Sequence, residues 1–274
     1  MLPWSLIASY ALLGNLWEIY HIMLATHVRS DLPYLRRYAR ALTGAQKAGD
    51  AYVKATLEAI IAAPAEFKQM PSPRQALYRF FHTIWESSYL HLNDNVQQPK
   101  PLTPLSRQAL LLSALEGFSV CEVAFITGCS SEIIDGLLAQ ALADIDGLES
   151  TSVLIIEDEP LISMELERIV TDAGHSIAGT AATHRDAIEA FQKQTPGLVF
   201  ADIQLADGSS GIAAVQEILE NINVPVIFIT AYPERLLTGE RVEPTFLITK
   251  PFNPDAVRAA VSQALFFEIS SFDA

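Results

Sequence analysis

The sequence predicts a helical N-terminal region followed by an α/β domain built on a parallel sheet. Residues 31–143 carry apolar side chains at helical spacing, in stretches that break at Gly or Pro. Residues 153–270 instead alternate short apolar runs with helical stretches, which indicates parallel strands covered on both faces by helices. A chain of 274 residues with 50% apolar content is long and apolar enough for two such parts, each with its own core.

Two polar stretches predict where the parts are joined. Residues 93–104 contain three prolines, which are excluded from helix and sheet interiors, and residues 144–152 are short, acidic and polar. We therefore expect helical blocks at 31–92 and 105–147, a linker at 93–104, and an α/β domain at 152–270.

The first block is predicted to contain three helices. Apolar residues at helical spacing predict a first helix that stops at Gly44, and they are Leu32, Leu35, Tyr38, Ala39 and Leu42. A second helix is expected over residues 50–63, ended by Pro64. A third is expected over residues 73–90, where the aromatic stripe is typical of a buried core face.

The second block has the pattern of a helix-turn-helix. A helix over residues 104–115 is followed by Ser119, whose partner three residues later, Glu122, completes a capping-box pattern. A turn at Gly128 then leads to a helix over residues 132–145, capped by Ser130 or Ser131.

The predicted helix-turn-helix lacks the cations of a DNA reader. The stretch from Gln108 to Glu167 contains no lysine or arginine, and the would-be recognition helix carries Glu132 and Asp135. Proteins that bind DNA neutralise its phosphates with cations, whereas these acids repel them. With a net charge of −14, the chain points away from nucleic acid and anionic membranes and towards a protein partner for this surface. The alternative interpretation is that the two acids only solvate the outer face of a structural bundle.

The elements of the third block alternate in order. Strands are predicted at residues 153–156, 176–181, 198–201, 225–230 and 246–249. Helices are predicted at residues 161–173, 185–194, 211–220 and 254–266. Residues 233–244, between the last two strands, are broken by Pro and Gly and are predicted to be irregular.

Reactive side chains follow four of these strands. They are Glu157 and Asp158 after the first, Asp202 after the third, Thr230 after the fourth and Lys250 after the fifth. Ligands of open parallel sheets bind at the carboxyl ends of the strands, so these residues are expected to converge. Carboxylates that hold Mg²⁺, a carboxylate nucleophile and a cation are what phosphoryl transfer requires. The alternative is that each is a solvated turn residue.

The sequence around these residues resembles the receiver domain of two-component response regulators. The matching segments are VLIIEDEP, FADIQLADGSSG, PVIFITA and FLITKPF. The resemblance covers residues 152–267 and implies a flavodoxin-like (βα)5 fold. It also implies that a histidine kinase phosphorylates Asp202, and that Thr230 and Lys250 contact the phosphoryl group.

The same resemblance implies a Mg²⁺ site. Its ligands are Glu157, Asp158, Asp202 and the backbone carbonyl of Gln204. The chain departs from the receiver pattern at one position. Leu247 stands where the switch aromatic usually lies, three residues before the lysine, and Phe246 is offset by one.

The helical blocks resemble the two domains of small alternative sigma factors. LPYLRRYARALTG and RQALYRFFHTIWE are similar to sigma region 2, and residues 102–145 are similar to sigma region 4. A sigma-like module in front of a receiver resembles the PhyR family of anti-anti-sigma response regulators. The family implies that the receiver holds the sigma-like part until phosphorylation, after which that part binds a NepR-like anti-sigma factor and frees a general-stress sigma factor. It implies a cytoplasmic protein that is not a turnover enzyme, with neither DNA nor membrane as a partner.

Two other functions remain compatible with the residues. One is a transcription factor whose helix-turn-helix binds promoter DNA directly. The other is a scaffold that sequesters a kinase or RNA polymerase.

Residues 1–30 and the cysteines carry little functional information. The first thirteen residues are nearly all apolar, but no cation precedes Arg29, which is unlike a signal peptide. We expect these residues to form an amphipathic helix that packs on the rest of the protein. A second interpretation is that the protein starts at Met23 and residues 1–22 are a mis-called extension, and a third is a membrane anchor.

Cys121 and Cys129 are expected to be small buried residues without a disulfide.

Overall fold

The computed structural model describes residues 28–68, 70–92, 104–146, 149–231, 233 and 244–272. The predictions for the N-terminal extension, for most of the 93–104 linker and for most of the irregular 233–244 segment lie outside these residues.

The N-terminal region is helical throughout its described part. Its helices are α1 (28–43), α2 (Gln46–Ala62), α3 (Pro64–Lys68), α4 (Pro73–Leu92), α5 (Leu105–Leu110), α6 (Val120–Thr127) and α7 (Ser131–Asp146). Helix α5 continues directly into a π-helical turn, Leu111–Leu115. Ser119 and Glu122 form the predicted capping box at the start of α6, which therefore begins where the sequence indicates.

The C-terminal part is a five-stranded parallel sheet with helices on both faces. Its elements are β1 (Ser152–Ile156), α8 (Pro160–Asp172), β2 (Ser176–Ala181), α9 (His184–Lys193), β3 (Leu198–Asp202), α10 (Gly211–Leu219), β4 (Val226–Thr230), β5 (Phe246–Thr249) and α11 (Pro254–Phe272). The strand order is β2-β1-β3-β4-β5, and each neighbouring pair is parallel. The predicted fold class, helical followed by doubly wound α/β, is confirmed.

Four local expectations differ from the structure. Helix α2 begins at Gln46 rather than at Asp50, one turn earlier, after an extended Ala45 that makes no side-chain capping bond; Asp50 lies inside the helix and pairs with the Arg40 guanidinium, 2.8 Å away. Pro64 ends α2 but also starts the short helix α3, which was not predicted. Helix α11 extends six residues beyond the expected end at Phe266. The two cysteines are free, but Cys121 is exposed and Cys129 is only partly buried.

The helical region packs against α11, the last helix of the α/β domain. Gln263 Nε2 donates a hydrogen bond to the carbonyl of Ala41, and Arg107 Nη1 donates to Ser262 Oγ at 2.6 Å. Gly44 has φ +66° and lies against the Phe267 ring, so a side chain at this position would be strained and would clash with that ring. The predicted intramolecular contact between the two parts is therefore present.

A buried ion pair ties together the helices of the N-terminal region. Arg37 on α1 is 3.0 Å from Glu116, which follows the π-helical turn, and the two side chains are 5% and 0% exposed. Tyr78 on α4 donates a hydrogen bond of 2.8 Å to the same carboxylate. Because buried charges are costly unless they are paired and hydrogen-bonded, this cluster fixes how α1, α4 and α5 meet.

His82 makes the stability of the helical region depend on pH. It is fully buried, Tyr38 OH lies 2.8 Å from its Nε2, and its Nδ1 has no hydrogen-bond partner among the described residues. Burial, helped by the nearby Arg79 charge, lowers the pKa of His82 from 6.5 to about 3. At pH values between about 3 and 6.5, the unfolded chain binds one more proton at His82 than the folded chain does. The free energy of unfolding therefore decreases as the pH falls through this range.

Lowering the pH from 7 to 5 is therefore expected to reduce the free energy of unfolding by about 2 kcal/mol through His82. Urea denaturation at the two pH values measures this loss. His82→Gln, which has no ring to protonate, is expected to lose about 2 kcal/mol less than the wild-type protein over the same interval. Equal losses in the two proteins would show that His82 is not responsible.

No helix in the described part of the chain is long and apolar enough to span a membrane.

Candidate phosphoacceptor and metal site

The sheet brings the predicted site residues together at the carboxyl ends of its central strands. Strand β1 leads directly into Glu157 and Asp158, and neighbouring strand β3 ends at Asp202. Strand β4 ends at Thr230, and Lys250 follows β5. The order β1-β3-β4-β5 therefore places the five residues side by side, as the strand-end rule predicts.

Three carboxylates form a compact cluster. Carboxylate oxygens of Glu157, Asp158 and Asp202 all lie within 4.8 Å of one another. Glu157 Oε2 is buried without a hydrogen bond of suitable geometry, although Lys250 Nζ lies 2.8 Å away. Hard oxygen donors at this density fit Mg²⁺, which binds through one or two carboxylates and keeps waters or phosphate oxygens in its other positions.

The Lys250 ammonium neutralises this cluster. Its Nζ lies 2.6 Å from Asp202 Oδ2 and 2.8 Å from Glu157 Oε2, and the side chain is only 8% exposed. Burial alone lowers the pKa of Lys250, but the hydrogen bonds and charges of Asp202 and Glu157 outweigh burial, so the net direction is upward. Lys250 therefore stays positively charged beside the carboxylate that the sequence predicts to be phosphorylated.

The pKa of Glu157 is raised. Burial favours its neutral form, the hydrogen bond and charge of Lys250 oppose this, and the Asp202 charge adds to the increase. A divalent cation in the cluster would stabilise the ionised form and reverse that direction.

Two contributors to the site were not singled out from the sequence. Glu159 Oε1 lies 3.2 Å from Lys250 Nζ, and the run of acids Glu157–Asp158–Glu159 was the available signal. Gly211, the first residue of α10, packs so closely that an added Cβ would lie on the Asp202 carbonyl oxygen. Only glycine allows this approach, which fixes the loop between Asp202 and α10.

The Asp202 carboxylate is also oriented by the backbone that follows it. The amides of Ile203 and Gln204 both donate hydrogen bonds to Oδ1. Its other oxygen, Oδ2, faces Lys250. The role of the Gln204 carbonyl as a metal ligand stays a prediction.

The two candidates for the switch aromatic position are both buried in the sheet. Phe246 lies in the core shared with α11 and the helical region, whereas Leu247 lies in the core on the opposite face.

The outward face of α7 is acidic, as the sequence predicts. Glu132 and Asp135 are exposed, and the apolar side chain of Ile133 between them is 53% exposed. This face offers a DNA phosphate no cation, and it presents an apolar side chain that a protein partner can cover.

Family models match three parts of the chain. Residues 28–82 match the Sigma2 domain of PhyR, residues 100–147 match the sigma-like domain of response regulator PhyR, and residues 153–262 match the response regulator receiver domain.

Full-length relatives match as well. The chain is 50% identical over 253 residues to the phyllosphere-induced regulator PhyR of Methylorubrum extorquens, covering 89% of this chain and 95% of that protein. It is 51% identical to the crystal structure of the response regulator PhyR from Brucella abortus, with a TM-score of 0.82, covering 90% of this chain and 96% of the other. It is 49% identical to the anti-anti-sigma factor PhyR from Bartonella quintana, with a TM-score of 0.83, covering 91% and 98% of the two chains.

Proposed function

This chain belongs to the PhyR family of response regulators, and we propose that phosphorylation of Asp202 switches its sigma-like region from the receiver to an anti-sigma factor. The observation that carries the proposal is the position of the helical region. It packs on β5 and α11, the elements that adjoin Lys250 and the carboxylate cluster.

The receiver supplies the chemical step. An Asp202 carboxylate oxygen attacks phosphorus on the phosphohistidine of a histidine kinase, the P–N bond breaks, and the histidine leaves. Glu157, Asp158 and Asp202, with the Gln204 carbonyl, would hold Mg²⁺, which stabilises the charge on the phosphoryl oxygens. Lys250 and Thr230 bind those oxygens once the group is on Asp202. Asp202 accepts a phosphoryl group, and the chain responds with a conformational change. We therefore propose no catalytic turnover.

The sigma-like region supplies the output. Phosphorylation adds negative charge beside Lys250 and favours the arrangement in which the receiver no longer holds the helical region. The released region then presents surfaces of a sigma factor to an anti-sigma factor. Direct promoter binding is not favoured, because the helix that would read DNA carries exposed Glu132 and Asp135 and no cation.

The partner class follows from the relatives. The Bartonella quintana protein is an anti-anti-sigma factor and has been co-crystallised with the anti-sigma factor NepR. We propose a NepR-like anti-sigma factor as the partner here and a histidine kinase as the phosphoryl donor. Since sigma factors act on RNA polymerase, the proposal places this chain in the cytoplasm.

Calorimetry with a candidate NepR-like anti-sigma factor tests the proposal. With Mg²⁺ and beryllofluoride, a mimic of the phosphoryl group, the full chain is expected to bind the partner at least about fivefold more tightly than without them, the lower end of usual allosteric couplings. Mg²⁺ alone and beryllofluoride with EDTA are the matched controls, and neither is expected to change the affinity. Equal affinities in all conditions would refute the switch. A shift of labelled promoter DNA at low salt would instead support the transcription factor.

A further inference from the structure

The side chain of Arg37 links the helical region to the strand that carries the site lysine. Arg37 Nη1 donates a hydrogen bond of 2.8 Å to Thr249 Oγ1. Thr249 is the last residue of β5, lies opposite Thr230 in the sheet register, and is followed by Lys250. The helical region thus contacts the receiver one residue away from a proposed phosphoryl-binding group.

Arg37 is held rigidly from its own side. Its Nε donates to Glu116 Oε1 and its Nη2 to the Leu115 carbonyl, both at 3.0 Å, and its guanidinium lies 5.2 Å from the centre of the Tyr34 ring. All three partners belong to the helical region. If that region moves away from the receiver, these contacts persist and the bond to Thr249 breaks.

We expect Lys250 to shift when Asp202 gains a phosphoryl group. Its Nζ is 2.6 Å from Asp202 Oδ2, close to where the new group would lie, and its backbone amide donates 2.7 Å to the Thr230 carbonyl. Thr249 and Pro251, on either side of Lys250, line an open cleft of about 420 Å³ between the helical region and the receiver, together with Arg37. The segment therefore has space to shift but is restrained at Thr249.

We propose that Arg37 is a positioning residue for the phosphotransfer site. Through Thr249 it holds Lys250 in the arrangement that suits unmodified Asp202, so the docked helical region opposes phosphorylation. Coupling between two sites is reciprocal, so a phosphoryl group on Asp202 weakens the Arg37–Thr249 contact by the same factor. The inference rests on the proposed function, since it assigns the contact through which the switch acts.

Thr249→Val in the full chain tests the inference. Valine is close in shape to threonine but cannot accept the hydrogen bond, while Arg37 keeps its other contacts. In the presence of Mg²⁺, Thr249→Val is expected to bind beryllofluoride at least about fivefold more tightly than wild type, measured by calorimetry or ¹⁹F NMR. The initial rate of labelling by acetyl phosphate is expected to rise in parallel.

Ser262→Ala is the matched control. It removes a side-chain hydrogen bond from Arg107 at the same interface but none near Lys250. Its beryllofluoride affinity is expected to change by less than about twofold, because the Ser262 carbonyl still accepts from Arg107. Equal increases in Ser262→Ala and Thr249→Val would show general loosening of the interface and would overturn the role of Arg37.

A double-mutant cycle separates Arg37 from a direct effect of Thr249 on Lys250. Arg37→Lys keeps a cation beside Glu116, which favours folding, but changes the guanidinium geometry. It is expected to tighten beryllofluoride binding in the wild-type background and to have no effect in the Thr249→Val background. Additive effects would overturn the inference, as would an unchanged affinity of Thr249→Val when the wild-type protein binds beryllofluoride. Failure of the wild-type protein to bind it at all would instead overturn the proposed function.

Discussion

Replacing Asp202 with alanine is expected to abolish phosphorylation of this chain and, with it, the gain in affinity for the anti-sigma factor. Of the three clustered carboxylates, Asp202 is oriented by backbone amides on Oδ1 and by Lys250 on Oδ2. Without it no nucleophile remains at the position where Lys250 and the metal ligands act together. Incubation with labelled acetyl phosphate or a phosphorylated kinase is expected to give only background labelling.

Asp207→Ala is the control for this prediction. Asp207 is an exposed aspartate in the loop after Asp202, where it accepts hydrogen bonds from Ser209. Its loss is expected to leave labelling intact.

The Asp202→Ala variant itself is expected to fold. Lys250 keeps Glu157 and Glu159 as partners in this variant, so circular dichroism is expected to show a folded protein. Mg²⁺-dependent labelling that survives in Asp202→Ala would place the acceptor elsewhere.

The α/β half and its site residues were predictable because the relevant information is local. Each strand is a short apolar run, and in a parallel sheet the residue after such a run lies at the edge where ligands bind. Glu157, Asp158, Asp202, Thr230 and Lys250 could therefore be placed together before any contact was known. The roles assigned to them come from the resemblance to receivers and stay predictions.

The contacts between the two halves were not predictable because their partners are far apart in sequence. Arg37 and Thr249 are separated by 212 positions, and Arg107 and Ser262 by 155. Nothing in the local pattern distinguishes Arg37 from its neighbour Arg36, although Arg37 is buried and Arg36 is partly exposed. The start of α2 was misplaced because the residue before it, Ala45, carries no side chain that caps a helix and so gives no start signal in the sequence.

The sequence stretch without lysine or arginine can now be placed in the molecule. It follows Arg107, which uses its charge on the receiver helix α11, at Ser262 and over the Phe266 ring. Its acids have several roles: Glu116 is buried, Glu132 and Asp135 are exposed on α7, and Glu157 and Asp158 belong to the carboxylate cluster. The stretch thus contains both a structural anchor of the sigma-like region and the surface on which it differs from a DNA reader.

Glu116→Gln is expected to destabilise the helical region strongly, although it changes the shape of the side chain very little. The Glu116 carboxylate is fully buried, pairs with Arg37 at 3.0 Å and accepts a hydrogen bond from Tyr78. Glutamine removes the negative charge and leaves the Arg37 guanidinium buried without this anionic partner. Removing one member of a buried ion pair costs about 3–5 kcal/mol, so we expect a loss of about 3 kcal/mol because the amide oxygen still accepts one bond. Urea denaturation followed by circular dichroism measures the loss.

Glu58→Gln separates the effect of burial from the effect of losing a glutamate on a helix. Glu58 lies on α2, is 65% exposed, and is 3.9 Å from Lys54. Exposed pairs of this kind contribute about 0.3–0.5 kcal/mol, so this variant is expected to unfold at nearly the wild-type urea concentration. If both variants shifted equally, Arg37 would not depend on Glu116 for its burial. The Leu115 carbonyl and the Tyr34 ring would then be the contacts that hold Arg37 in place beside Thr249, so the stability of the Arg37–Glu116 pair bears on how the helical region restrains the receiver.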